Sequence, residues 1–138
     1  MKQTAGALFF RRGQVLLGRR APHKKAYPNC WDVIGGHVEA GETVEQALVR
    51  EAKEEVGVTP LRFTAIGRFR EPNADLYGDA MHHFFAVTEW AGGEPEPLGD
   101  EHTEVRWFDI AEACTLEGLA AAEYRPLFKR LLPLQTKG

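Results

Sequence analysis

Between Thr43 and Pro60 the chain carries signals for both ends of one helix. Thr43 with Gln46 has the pattern of a capping box, Gly57 suits a left-handed stop, and Pro60 discourages continuation, which predicts a helix over about 43–56. Everything polar in that segment then acquires a direction. At 100° per residue, with Glu51 set to zero, Glu54 falls at about 300° and Glu55 at about 40°, so the three carboxylates share an arc of about 100°. Leu48, Ala52, Val56 and Val49 fill the adjoining arc. One flank must therefore pack on a core while its neighbour gathers negative charge. Val44 and Ala47 project into the carboxylate sector, which predicts that this sector faces the floor of a cleft.

A solvated helix face normally alternates its signs to make i,i+4 pairs. Here Glu51, Glu54 and Glu55 cluster, and Lys53 points to the far side. Arg50 stands four residues before Glu54 and can hold that carboxylate. Like charges this close raise one another's pKa unless a cation compensates. Hard oxygen ligands with no His or Cys on the face favour Mg²⁺ or Mn²⁺ over zinc.

The helix belongs to a longer run, GHVEAGETVEQALVREAKEEVGV, from Gly36 to Val58. Its specified positions are Gly36, Glu42, Arg50, Glu51, Glu54, Glu55 and Gly57, followed by an aliphatic residue. With each residue type used at roughly 1 in 15, seven coincide at about one in 10⁸ per window. The run resembles the Nudix box, the signature of hydrolases that cleave a nucleoside diphosphate linked to another group. Ala52 stands where that family often has a larger aliphatic side chain, which affects local packing only. Weaker similarity extends to YPNCWDVIGG ahead of the box and DEHTEVRWFDI after it. The resemblance implies an α/β fold, a mixed β-sheet sandwiched between helices, with one domain over 1–138. It also implies that a backbone carbonyl near Gly36 joins Glu51, Glu54 and Glu55 at the metal, and that Glu42 supports Arg50 or the metal shell. Read from the residues alone, Glu42 is an acid favoured by the helix dipole, and Gly35, Gly36 and Gly41 permit tight turns and close approach to a ligand.

A diphosphate repels a hydroxide nucleophile, so a catalyst must neutralise phosphate oxygens, activate a water and align the leaving group. Divalent ions on Glu51, Glu54 and Glu55 can serve the first two needs. One carboxylate must stay free to take the water proton, a role contributing about 10² to 10⁴ in rate. A box glutamate such as Glu54 or Glu55 is one candidate. Glu101 and Glu104 in a late loop are others, with Glu101 favoured as an additional ligand or base.

Residues 1–31 hold seven Lys or Arg and no acid, whereas the whole chain has a net charge of −3, so the rest is strongly acidic. Arg19, Arg20, Lys24 and Lys25 follow an apparent hairpin and could meet a polyphosphate arriving at the box. Overall acidity argues against stable binding of nucleic acid. The expected partner is a nucleotide or another nucleoside-diphosphate-linked small molecule; a homodimer is left open. No apolar run approaches the ~20 residues of a membrane span, and TAGALFF lacks the features of a signal peptide. Cys30 and Cys114 have no metal spacing and read as free thiols, which points to the cytoplasm.

Strands are expected at Thr4–Phe10, Val15–Arg19, Trp31–Ile34, Arg62–Arg70, Met81–Trp90 and Val105–Ile110, with a closing helical segment over Leu116–Leu132 interrupted at Pro126. Tyr27, Phe69, Tyr77, His82 and Phe84 are candidates to line a base pocket, whereas Trp31 and Trp107 read as core. Pro72 and Tyr77 lie near positions that mark family branches acting on ADP-ribose or dinucleoside polyphosphates without clearly satisfying either pattern, and hydrolysis of ADP-ribose, a nucleotide sugar or a dinucleoside polyphosphate is the alternative. The short chain resembles more closely the MutT-like branch acting on nucleoside triphosphates, including oxidised ones, to give a monophosphate and pyrophosphate. Two rivals are an isopentenyl-diphosphate-isomerase-like enzyme, which would draft Cys30, and a non-catalytic nucleotide sensor. Sensors tend to lose box glutamates, and this chain keeps them.

Overall fold

The computed structural model describes residues 1–134. Seven strands and four helices follow in the order β1 (Lys2–Arg11), β2 (Gln14–Arg20), β3 (Trp31–Asp32), β4 (Ile34–His37), α1 (Val44–Val56), β5 (Thr59–Arg70), α2 (Ala74–Tyr77), β6 (Ala80–Ala91), β7 (His102–Asp109), α3 (Ile110–Thr115) and α4 (Tyr124–Leu131). The strands form one mixed sheet, β3-β2-β1-β6-β5, with β4 paired to β1 and β7 to β2. The β1–β6 pairing is parallel and the others are antiparallel.

Strand alternation builds two cores, one on each face of the sheet. Ala5, Ala7 and Phe9 of β1, Leu16 of β2, and Phe85 and Val87 of β6 pack against Ala47, Leu48, Ala52 and Val56 of α1. Their neighbours Leu8, Phe10, Val15, Leu17, Phe84 and Ala86 pack on the opposite face against α3 and α4. The result is the expected helix–sheet–helix sandwich. Each fully buried large aliphatic or aromatic side chain contributes about 1.5–3 kcal/mol, so α1 is anchored chiefly by Leu48 and Val56, both with essentially no exposure.

Helix α1 has the ends that its sequence predicts. Thr43 Oγ1 accepts from the Gln46 amide at 3.0 Å, and Gln46 Oε1 accepts from the Thr43 amide at 2.8 Å. Gly57 adopts φ 74° and its N–H reaches the Lys53 carbonyl.

Three local expectations are corrected. The segment expected as one strand at Trp31–Ile34 divides: Trp31–Asp32 pairs with β2, whereas Ile34–His37 pairs with β1. Gly35 and Gly36 are therefore strand residues, with Ala5 and Gly6 opposite them. The closing helix is shorter than Leu116–Leu132, because Gly118 at φ 75° takes the chain out of helical geometry and residues 116–123 are not helical. Pro126 sits in the first turn of α4, where its missing N–H costs nothing. The last strand ends at Asp109, and Ile110 already starts α3. Among the described residues no helix is long and apolar enough to cross a membrane, and Cys30 and Cys114 are free thiols.

Candidate active site

Arg50 organises the acidic flank of α1. Its Nε and Nη2 donate to the two oxygens of Glu42 at 2.7 and 2.9 Å. Nη1 reaches Glu51 Oε1 at 2.9 Å and Glu54 Oε2 at 3.3 Å, while Nη2 also donates to the His37 carbonyl at 2.9 Å. Bidentate charge-assisted bonds of this kind add geometric definition as well as energy. The guanidinium fork and the Glu39 amide hold the Glu42 carboxyl down to about 2. Spacing alone pairs Arg50 with Glu54; in the fold its shorter bonds go to Glu42 and Glu51.

The two glycines of β4 admit the other carboxylates. A Cβ on Gly36 would lie 2.5 Å from Glu51 Cδ, and one on Gly35 would collide with the Ala5 carbonyl. Glu55 is buried, 6% exposed, and its Oε2 accepts from the Gly35 amide at 2.9 Å. Burial, followed by repulsion from Glu51 and Glu101, pushes the Glu55 carboxyl up to about 9. Burial also raises Glu51, although Arg50 opposes it. Glu101 belongs to the same electrostatic cluster, because it acts on both Glu51 and Glu55. Its own carboxyl is lowered, first by the 2.6 Å bond from Lys24 Nζ.

This donor set fits a hard divalent cation. It consists of oxygen ligands only, and one of them is a buried carboxylate whose ionised form lacks a countercharge. Among the described residues no three His, Cys, Asp or Glu side chains already converge on one metal position. Glu51 and Glu54 are instead bonded to Arg50. Glu104 stands apart, on β7 opposite Arg19 and bonded to Arg106 at 3.1 Å.

Gly35 and Gly36 also line a cavity of about 230 Å³. Of the residues expected to contact substrate, Arg20, Tyr27, His82 and Phe84 line it, as do Phe69 and Tyr77. Arg19 does not. Successive residues of a strand point to opposite faces, and Arg19 instead lies over the Trp31 ring and donates to the Asn29 carbonyl at 3.3 Å. Lys24 is tied to Glu101, and Lys25 is exposed. Trp31 is core, as expected; Trp107 is only partly buried and stacks on Trp90 beside Arg11.

Sequence reasoning missed Thr4, Asp32, Glu71 and Tyr124 in the cavity wall. Asp32 Oδ1 accepts from Tyr124 Oη at 2.5 Å and its Oδ2 from Arg20 Nη1 at 3.2 Å. Glu71 accepts from Tyr27 Oη at 2.6 Å and pairs with His82 Nε2 at 3.1 Å. Asp32 had a signal, as the first acid after seven cations; the partners that give the other three their place are far away in the chain. Cys30 packs against the α3–α4 core, outside the cavity lining, and burial raises its thiol pKa.

The chain is 38% identical over 97 residues to the ADP-ribose pyrophosphatase of Methanocaldococcus jannaschii, covering 70% of this chain and 55% of that protein. It is 32% identical over 123 residues to the 8-oxo-dGTP diphosphatase of Escherichia coli, covering 89% and 86%. It thus spans from about a third to about half the length of the first curated relatives it matches. The crystal structure of the MutT NUDIX hydrolase from Burkholderia pseudomallei superposes with a TM-score of 0.83 at 25% identity, over 94% of this chain and 97% of that one. The model of the NUDIX domain matches residues 1–131, a span that takes in the acidic flank of α1, the β4 glycines and the cavity, and the chain belongs to the NUDIX family.

Proposed function

We propose that the protein is a divalent-cation-dependent hydrolase that cleaves the diphosphate linkage of a nucleoside triphosphate, releasing a nucleoside monophosphate and pyrophosphate. One observation carries the reading: the acidic flank of α1 and an aromatic cavity of about 230 Å³ share Gly35 and Gly36 as a common wall. With no side chains on this part of β4, a base on one side and its phosphates on the other can belong to one substrate.

Glu51, Glu54 and Glu55, with the carbonyl near Gly36, are the groups that would hold Mg²⁺ or Mn²⁺, the ions that NUDIX proteins generally use. When bound, such an ion neutralises phosphate oxygens and acidifies a water. The chain's own residues do the rest. Arg50 orients Glu51 and Glu54, and Glu42 holds Arg50. Glu101, kept ionised by Lys24, is assigned to accept the proton as the water oxygen attacks phosphorus and the bridging oxygen departs; Glu54 and Glu55 are the alternative bases. Arg20, in the cavity wall, is placed to meet phosphate charge, and Tyr27, His82 and Phe84 to contact the base.

The 86% coverage of the Escherichia coli 8-oxo-dGTP diphosphatase favours a triphosphate substrate. The higher identity to the archaeal ADP-ribose pyrophosphatase favours a second reading, cleavage of ADP-ribose. Incubation with Mg²⁺ and a panel of nucleoside triphosphates, ADP-ribose, nucleotide sugars and dinucleoside polyphosphates separates the two by product. Glu54→Gln should lower turnover by about 10²-fold or more with unchanged melting. Full turnover in that variant removes the metal-site assignment, and a panel with no cleaved diphosphate removes the hydrolase.

A further inference from the structure

At the aromatic end of the cavity, four side chains around Glu71 and Asp32 spend their polar hydrogens within the wall. Glu71 is acceptor-only when ionised. Burial pushes its pKa up, but bonds from Tyr27, the Asn73 amide and His82 outweigh this and hold it below the usual value. Because Glu71 Oε1 must accept, His82 Nε2 carries the hydrogen at 3.1 Å. In the neutral ring that tautomer accepts at Nδ1, so the Thr4 hydroxyl donates to it at 2.6 Å. Tyr27 Oη donates to Glu71 Oε2 at 2.6 Å and itself accepts from Asn73 Nδ2 at 2.8 Å. Tyr124 Oη donates to Asp32 Oδ1, which also accepts from the Val33 amide at 2.8 Å. Arg20 commits Nε to the Ala26 carbonyl at 2.9 Å and Nη1 to Asp32 Oδ2.

With Tyr27, Thr4, His82 and Tyr124 all donating into the wall, what these groups leave for a ligand beside Glu71 is acceptor capacity, lone pairs on Glu71, Asp32 and Thr4 Oγ1, while the cationic donors of the lining, Lys2 and the remaining N–H groups of Arg20, are of the kind that meets phosphate. Phe69, Phe84 and Tyr77 add ring surface to the lining, on which any base can stack. Stacking therefore does not discriminate, and the polar wall must.

We propose that this cavity selects an amino-bearing nucleobase (adenine, guanine or cytosine) over uracil and thymine, with Glu71 and Asp32 as specificity-determining acceptors for the base N–H groups. The proposal rests on the nucleotide reading of the site. An exocyclic amine supplies hydrogens that the carboxylate lone pairs can take. Uracil and thymine replace that amine with a carbonyl oxygen, setting lone pair against lone pair, and their single imide N–H lies between two such oxygens. A buried acceptor left facing an acceptor loses its hydrogen bond and gains repulsion, which in a site built on hydrogen bonds is worth about tenfold or more in selectivity.

Two measurements on the intact protein test this. Hydrolysis with Mg²⁺ should give at least one of dGTP, dATP and dCTP a kcat/KM about tenfold or more above that of dTTP. Calorimetric titration without metal should rank GMP, AMP or CMP above UMP in the same way, and Glu71→Gln, whose amide can donate to a carbonyl, should narrow the gap. Equal kcat/KM for dTTP, equal affinity for UMP, or no binding of any monophosphate overturns the inference. Base discrimination in binding with no cleavage of any nucleotide supports the cavity assignment and overturns the hydrolase reading instead. Because wild-type protein carries both comparisons, a Glu71→Gln variant that fails to fold leaves them decisive.

Discussion

Gly36→Ala isolates the placement of one carboxylate. Gly36 does not have a positive φ, so alanine meets no backbone strain there, but its Cβ would lie 2.5 Å from Glu51 Cδ and 2.6 and 2.7 Å from the two carboxylate oxygens. Ordinary carbon contacts begin near 3.5 Å, so the carboxylate must retreat by about 1 Å. Glu51 is the end of a flexible side chain on a helix anchored elsewhere, and the retreat should cost less than about 1 kcal/mol of stability, or about 3 °C in melting temperature. The chemistry should suffer far more, because a 1 Å misplacement costs about 10²-fold in rate, or about 2.7 kcal/mol of transition-state stabilisation. Gly35→Ala is the control. Its Cβ meets the Ala5 carbonyl, a backbone atom of the β1–β4 pair, so it should cost about 2 kcal/mol or more in stability. Pyrophosphate release under Mg²⁺ saturation, beside thermal melts of both variants, reads the two effects separately. Gly36→Ala working at the parent rate would refute the placement of Glu51 at the reacting centre. If Gly36→Ala melted as low as Gly35→Ala, the strand rather than the carboxylate would be the reason for glycine.

Three further outcomes follow from the same geometry. Arg50→Lys keeps the charge but loses the fork to Glu42 and cannot span Glu51 and Glu54 together; activity should fall about tenfold or more while the helix survives, and parental activity would show the clamp to be idle. Glu55 has its folded pKa raised from 4.5 to about 9, so the folded state holds its proton more tightly than the unfolded one, and stability present below pH ~4.5 is lost as pH rises toward ~9. Melts in chelator should show this decline, added Mg²⁺ should oppose it at the alkaline end, and Glu55→Gln should flatten it; an unchanged slope in the variant would sink the assignment. Cys30→Ser should cleave the hydrolase substrate at close to the parent rate, since Cys30 is outside the cavity lining, and complete loss in a folded variant would revive isomerase chemistry.

How much of this was legible in the sequence depends on the range of the interactions involved. Caps, stop and facing of α1 depend on partners within about one turn of one another, so the segment Thr43 to Gly57 announces its own geometry and the common flank of Glu51, Glu54 and Glu55. Apolar runs bounded by turn residues likewise announced the longer strands, whereas the sandwich was implied by the family resemblance. The fold alone decided that Gly35–Gly36 is a strand beside β1, because pairing with Ala5 and Gly6 is a long-range choice. It also gave Glu101, already favoured over Glu104, its partner Lys24 across 77 residues, and it decided that Arg20 lines the cavity while Arg19 turns away. The cavity wall was least visible, since Thr4 meets His82 and Tyr124 meets Asp32 across separations of 78 and 92 residues. Hydrogen-bond partners that distant leave no periodicity for a sequence to show, so local chemistry determined the acidic helix, and tertiary packing decided what stands opposite it.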